Sequence, residues 1–261
     1  MTKKHTGGEL VVRQLESLGV RHVFGVPGGQ TLAITDAILD SSEIEFVTAR
    51  HEGAAAVMAD AYGRLTRTPG VCLATAGPGA TNLLTGVGGA LRDSSPVLVL
   101  TCNNNAENVD KDDAQNADHV ALFRPLTKHS RLVSRPSGIV QALEEAYLRA
   151  MAGNPGPVHV DFARDVIEAT LPEPPDVPDV HPLRGLVDQR PRADVERLES
   201  AARLIAGASF PVFWVGNGCT RSEAGEAVLE LAELLQAPVV TTFNGMGAVP
   251  TTHPLVFGAL S

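Results

Sequence analysis

Short apolar runs and longer amphipathic stretches alternate along the first 165 residues. Residues 23–26, 45–49, 71–75, 97–101, 131–134 and 158–162 are short, largely apolar and bounded by Gly, Pro or charge. They predict buried strands. Residues 9–18, 31–39, 53–65, 80–91 and 138–151 carry helical spacing instead. In the first of these, Leu10, Val11, Leu15 and Leu18 fall along one side. Strand–helix alternation of this kind predicts an α/β fold, a parallel sheet with helices on both faces.

The pattern breaks over residues 168–192. Pro172, Pro174, Pro175, Pro178, Pro182 and Pro191 crowd that stretch, a density no helix or central strand tolerates. An extended linker is expected there. It separates a first domain, residues 1–167, from a second α/β segment, residues 193–261. In the second segment, residues 194–206 and 222–235 predict helices, and 212–216 and 239–242 predict strands. That is about two βα units. An isolated half-sheet would have an open edge and a small core, so an incomplete Rossmann-like domain is expected.

Composition narrows the class. Apolar residues make up 44% of the chain, enough for a real core. The net charge of −9, from 21 basic and 30 acidic residues, argues against a general nucleic-acid binder. Aromatics at 4% do not suggest platforms for stacking bases. The N-terminus runs into Gly7-Gly8 rather than an apolar signal region, and no stretch approaches the ~20 apolar residues of a membrane span. Cys72, Cys102 and Cys219 are odd in number and far apart, without disulfide or zinc spacing. A soluble cytoplasmic protein is expected.

Three clusters sit at the C-terminal ends of predicted strands, where open α/β sheets bind ligands. Gly25-Val26-Pro27-Gly28-Gly29 allows close approach of backbone to a ligand, though alone it reads better as an ordinary strand–helix turn. Arg50-His51-Glu52-Gly53 opens a helix. A carboxylate there can be a cap. Glu52 also precedes Ala54, Ala55, Ala56, Ala59 and Ala61, a run expected to be buried, so partial desolvation would suit it to relay a proton. His51 reads as a structural residue. The third cluster runs from Thr75 through Gly77-Pro78-Gly79 to Asn82. It lacks the Lys-Ser/Thr of a P-loop and the spacing of a dinucleotide fingerprint. A flat ring resting on Pro78, with Asn82 as polar handle, fits better. Periodicity and composition stop at a ligand-binding α/β domain.

These residues resemble the thiamine diphosphate enzymes of the acetolactate synthase and pyruvate decarboxylase superfamily. The matching text is residues 23–29, Arg50-His51-Glu52, residues 59–64, 70–83 and 124–129. Order and spacing look like the family's N-terminal pyrimidine-binding domain, from about Gly8 to Phe162, and the segment after the linker resembles the start of its central domain. The resemblance implies thiamine diphosphate as cofactor, with Glu52 hydrogen-bonded to N1′ of the aminopyrimidine and so promoting loss of the thiazolium C2 proton. It places Gly28 and Gly29 in the close-approach loop and Thr75, Pro78 and Asn82 in the pyrimidine pocket. Gln115 lines up with an active-site glutamine of acetolactate synthases. The implied reaction is decarboxylation of a 2-oxo acid such as pyruvate and transfer of the acyl carbanion equivalent to an acceptor carbonyl. A simple decarboxylase, a 2-hydroxyacyl-CoA lyase and a non-catalytic assembly subunit are the rivals.

The sequence departs from the family in three places. It has no Gly-Asp-Gly, the start of the family's diphosphate and Mg²⁺ site. None of its own residues is therefore assigned to metal, and a second subunit in a dimer-based hetero-oligomer is expected to supply that site. Ala114 stands where acetolactate synthases carry a phenylalanine before the glutamine, which should enlarge the pocket. Residues 103–110 are unusually polar, which reads as a gating loop or, somewhat better, as a solvated surface loop. Three smaller signals remain. Gly216-Asn217-Gly218 follows a predicted strand at a place where some relatives bind FAD, but the third glycine is missing and a structural turn is favoured. Lys128-His129 reads equally as a substrate-carboxylate contact or a strand start. His159 and Asp161 read as polarity on a sheet edge.

Overall fold

The computed structural model describes residues 5–109, 111–172, 177–183 and 192–259, in two compact units, Met1–Gln189 and Arg190–Ser261. The first unit begins with β1 (His5–Thr6) and α1 (Gly7–Ser17), then β2 (His22–Gly25), α2 (Leu32–Leu39) and β3 (Glu45–Thr48). It continues through α3 (Glu52–Thr66), β4 (Gly70–Ala74), α4 (Pro78–Arg92), β5 (Val97–Asn103) and a short α5 (His119–Phe123). It closes with β6 (Ser130–Val133), α6 (Ile139–Met151), β7 (Pro157–Ala163), α7 (Arg164–Glu168) and β8 (Thr170–Leu171). Six strands form one parallel sheet in the order β3-β2-β4-β5-β7-β6. The expected α/β class and both helical layers are present.

Every residue of β4, β5 and β7 is buried; β4 and the first four residues of β5 accordingly read as unbroken apolar runs, while β7 buries His159 and Asp161 among its apolar residues. Alternation divides their side chains between two cores. Val71, Leu73, Leu98, Leu100, Val158 and Val160 face α1, α2 and α6. Cys72, Ala74, Val97 and Val99 face α3 and α4. Cys72 and Cys102 are free and buried, and burial pushes the Cys72 thiol up to about 12. Thr6 caps α1 in a reciprocal box with Glu9. β1 pairs antiparallel with β8, so the first and last strands of the unit meet.

The described part of the proline-rich stretch packs on the first unit. Val177 joins the α1–α6 core. His181 N–H donates to the Ser17 carbonyl at 3.0 Å, and its ring pairs with Glu144 at 2.9 Å.

His159 and Asp161 do not lie on an edge. β7 runs between β5 and β6, and both side chains are within 1% of full burial. On the face toward α4 and α5 they meet Thr101, Asn103 and His119. Thr101 Oγ1 donates to Asp161 Oδ1 at 2.6 Å and lies 2.8 Å from His159 Nε2. Asn103 Nδ2 donates to Asp161 Oδ2 at 3.0 Å. The His159 ring also lies 2.8 Å from Ser130 Oγ and stacks on Phe123 at 4.1 Å. A buried carboxylate persists only when its oxygens are occupied in this way.

The second unit holds α8 (Val195–Ala206), β9 (Phe213–Val215), α9 (Asn217–Ser222), α10 (Gly225–Leu235), β10 (Val239–Thr241) and β11 (Val256–Ala259). Its sheet is parallel, ordered β11-β10-β9. The helix expected over 222–235 is interrupted at Glu223, which takes a left-handed conformation with φ 55°. The core is small, with Val215, Ala232, Val239 and Val249 at its centre. Trp214, Phe243 and Phe257 are exposed.

One prediction concerns acid. Burial pushes the His159 ring down to about 3 from its usual 6.5, against the raising influence of Asp161. Below about pH 6.5 the unfolded chain takes up a proton that the folded chain refuses. Stability should therefore fall as pH drops from 6.5 toward 3, by on the order of a few kcal/mol. Urea midpoints across that window should fall more steeply for the wild type than for His159→Gln. Parallel curves would remove His159 as the cause.

Candidate functional site

Strand order reverses between β2 and β4, because β3 lies on one side of β2 and β4 on the other. Such a reversal opens a crevice at the carboxyl ends of the strands. The loops after these strands come very close. A Cβ on Gly28 would stand 2.5 Å from Thr75 Cβ, so only glycine allows the approach. Thr31 Oγ1 fixes this turn by accepting from Gly28 N–H at 3.0 Å and donating to its carbonyl at 2.9 Å. Gly29 has open space where a Cβ would stand.

The second loop launches α4. Gly77 takes φ +59°, and a side chain there would strike the Gln115 carbonyl at 2.4 Å. Pro78 follows at the first helical position, where its missing N–H costs nothing. Its outer face is exposed. Gly79 lies against Thr75, and a Cβ on it would be 3.5 Å from Glu52 Oε1. One turn on, Asn82 Nδ2 donates to Glu52 Oε2 at 2.9 Å. Glu52 itself opens α3, where the helix dipole favours a carboxylate. His51 is the N-cap, its Nδ1 accepting from Gly53 N–H at 3.0 Å. Among the described residues, Glu52 Oε1 has no hydrogen-bond partner.

Burial of α3 is one-sided. Ala55, Ala56 and Ala59 pack inward, but Ala54 and Ala61 are exposed, as are Val57, Met58 and Leu65. The run expected to be buried is therefore half uncovered, and Glu52 is half-buried.

A residue the sequence did not single out ties Gln115 to this crevice. Gln30 Oε1 accepts from Thr75 Oγ1 at 2.5 Å, and its Nε2 donates to Gln115 Oε1 at 3.3 Å and Asn104 Oδ1 at 3.4 Å. Its one signal was its place directly after Gly28-Gly29. The polar loop after β5 is braced rather than loose where it is described. Asn104 Nδ2 donates to the Ala114 carbonyl at 3.1 Å, and Asn116 Nδ2 to that of Val109 at 2.7 Å. Asp110 lies outside the described residues. Lys128 and His129 sit at the amino end of β6, away from the crevice. Lys128 Nζ donates to the carbonyls of Ala152 and Asn154 at 2.7 and 2.8 Å, so the substrate-contact reading is not supported. Gly28, Thr75, Glu52, Asn82 and Gln115 are thus brought together, while Gly29 and Pro78 line the open side. Among the described residues, no cluster of three His, Cys, Asp or Glu could hold a metal ion.

Comparison with known proteins adds to this geometry. Residues 5–122 match the family model "Thiamine pyrophosphate enzyme, N-terminal TPP binding domain", and residues 198–261 match the family's central domain. The chain is 40% identical over 257 residues to a probable acetolactate synthase large subunit of Methanocaldococcus jannaschii, covering 97% of this chain and 42% of that protein. It is 41% identical over 252 residues to an acetolactate synthase of Mycobacterium bovis, covering 95% and 40%. An Arthrospira platensis acetolactate synthase is 40% identical over 261 residues, covering 98% and 45%. The chain thus spans about two-fifths of the length of these curated relatives. Two domains of one family follow each other along it in order, and the glycine-lined crevice and Glu52–Asn82 pair lie within the first, so the chain belongs to the thiamine pyrophosphate enzymes.

Proposed function

We propose that this chain is the pyrimidine-binding part of a thiamine diphosphate-dependent, acetolactate synthase-like enzyme. Residues 1–167 form the pyrimidine-binding domain, 168–192 a linker and 193–261 the beginning of the central domain. The enzyme decarboxylates a 2-oxo acid such as pyruvate and transfers the acyl unit to an acceptor carbonyl. The observation that carries this reading is the Glu52 carboxylate, held by Asn82 through one oxygen with the other unpartnered, beside a cradle lined by Gly28, Thr75 and Gly79.

The residues fit an aminopyrimidine. Such a ring needs a carboxyl group for its N1′ and a surface without projecting side chains. Gly28, Gly29, Thr75, Pro78 and Asn82 supply the surface, and Glu52 supplies the acid. Asn82 keeps Oε2 occupied and turns Oε1 to the ring, where Glu52 holds and exchanges the N1′ proton. When bound, the cofactor supplies an electron sink for the carbon–carbon bond that breaks. Gln115, steadied by Gln30, faces the substrate side. Exposed Ala114 beside it leaves room for acceptors bulkier than pyruvate. A second subunit holds the diphosphate and its Mg²⁺.

Calorimetry with thiamine diphosphate and Mg²⁺, on the chain alone and with its co-purified partner, tests the reading. Binding and pyruvate decarboxylation that appear only with the partner are expected. A partner that binds without cofactor uptake or turnover would make the chain an assembly subunit. Glu52→Gln should slow exchange of the cofactor's C2 proton by about a hundredfold or more. Unchanged exchange would take the role away from Glu52. Gly28→Ala should push Thr75 aside and weaken cofactor binding about tenfold, equivalent to ~1.4 kcal/mol. Unaltered affinity in that variant would mean the close approach does not shape the pocket.

A further inference from the structure

We infer that His119 is a positioning residue for the loop of residues 75–82 and, through it, for the Glu52–Asn82 pair. His119 is 1% exposed at the start of α5 and touches neither Glu52 nor Asn82. Its Nε2 lies 3.0 Å from Gly77 N, and its Nδ1 lies 3.0 Å from Asp161 Oδ1. A backbone N–H can only donate, so Nε2 carries a lone pair and the ring proton sits on Nδ1. The tautomer is assigned by the partners.

The direction of the remaining bonds follows. Thr101 donates its hydroxyl proton to Asp161 at 2.6 Å, so its oxygen accepts from His159 Nε2 at 2.8 Å. Asn103 fills the other carboxylate oxygen at 3.0 Å. Asp161, on β7, is thereby fixed by two residues of β5 and in turn orients His119. The chain of bonds ends at one peptide N–H, that of Gly77.

That peptide plane sets the start of α4. The Gly77 carbonyl accepts from Thr81 N–H at 2.9 Å, and the Gln115 backbone closes the space over its Cα. Gly77 has no freedom on that side and one buried partner for its amide. If His119 lets go, a buried donor is left unpaired and the peptide turns to find another. The first turn of α4 moves with it, and so do Gly79 beside Glu52 and Asn82 bonded to it.

The consequence for cofactor binding rests on the function proposed above, whereas the hydrogen bond does not. Two variants separate the two ends of the imidazole. In His119→Gln the carboxamide oxygen reaches the place of Nε2 and can still accept from Gly77. In His119→Asn the shorter amide reaches only the place of Nδ1 and keeps Asp161 as partner. Amide hydrogen exchange at Gly77 is read by NMR on the chain. Thiamine diphosphate–Mg²⁺ affinity is read on the enzyme assembled with its partner. His119→Gln should stay near wild type in both, and His119→Asn should lose about tenfold or more in both. Loss in the glutamine variant equal to that in the asparagine variant, or none in either, would overturn the inference. So would altered Gly77 exchange with equal cofactor affinity in all three proteins. If the wild-type assembly takes up no cofactor, the function reading falls, and Gly77 exchange still decides what His119 holds. Nitrogen-15 shifts of the wild-type ring should show protonated Nδ1 and bare Nε2. The opposite tautomer would overturn the inference without any variant.

Discussion

The first unit depends on one close backbone approach, between the ends of β2 and β4. Strand order reverses there, so two loops leave the sheet side by side, and the one after β2 has no room for a side chain at the contact. The Gly25 Cβ position is 2.5 Å from the Leu73 carbonyl, and that of Gly28 is 2.5 Å from Thr75. Steric exclusion turns a topological crevice into a smooth-walled one. The helices that start beside it, α3 and α4, then carry Glu52 and Asn82 to each other. The geometry of the candidate site is set by backbone first, with side chains added to a surface the glycines have already cleared.

The buried network below shows how polar groups support that surface. Hydrogen bonding and desolvation oppose each other in a parallel sheet. Burying Asp161 is tolerable because Thr101, Asn103 and His119 converge on it, and burying His159 keeps its ring neutral between Thr101 and Ser130. Each member accounts for the next. Fully partnered in this way, the network holds each of its members in one orientation, since its bonds have direction.

The sheet and the main helices could be read from the sequence because continuous burial and helical spacing leave strong patterns. β4 is apolar throughout and β5 over its first four residues, Thr75 follows β4 directly, and Glu52 and Asn82 fall early in α3 and α4. The misreadings have identifiable causes. Alternation of His159 and Asp161 with Val158, Val160 and Phe162 looks like a solvent face, and only the partners on β5 and α5 reveal a buried one. His119 lies in a five-residue helix, too short to show a period. Gln30 sits in a turn, where side-chain direction depends on a loop 85 residues away. The alanine run of α3 fits a helix packed on every side, yet small side chains carry no sign of which face is covered.

The pairing of β1 with β8 has a consequence for how this unit combines with others. His5 stands opposite Leu171 and Thr6 opposite Thr170, so the first and last strands of the unit close on each other. A body with adjacent ends resembles a bead on a closed ring. It can be circularly permuted, or spliced into a loop of a host protein, with little disturbance to the sheet inside. A permutation that closes the ring at residue 171 keeps the sheet but gives up the place of Val177 in the core and the bonds of His181 to Ser17 and Glu144.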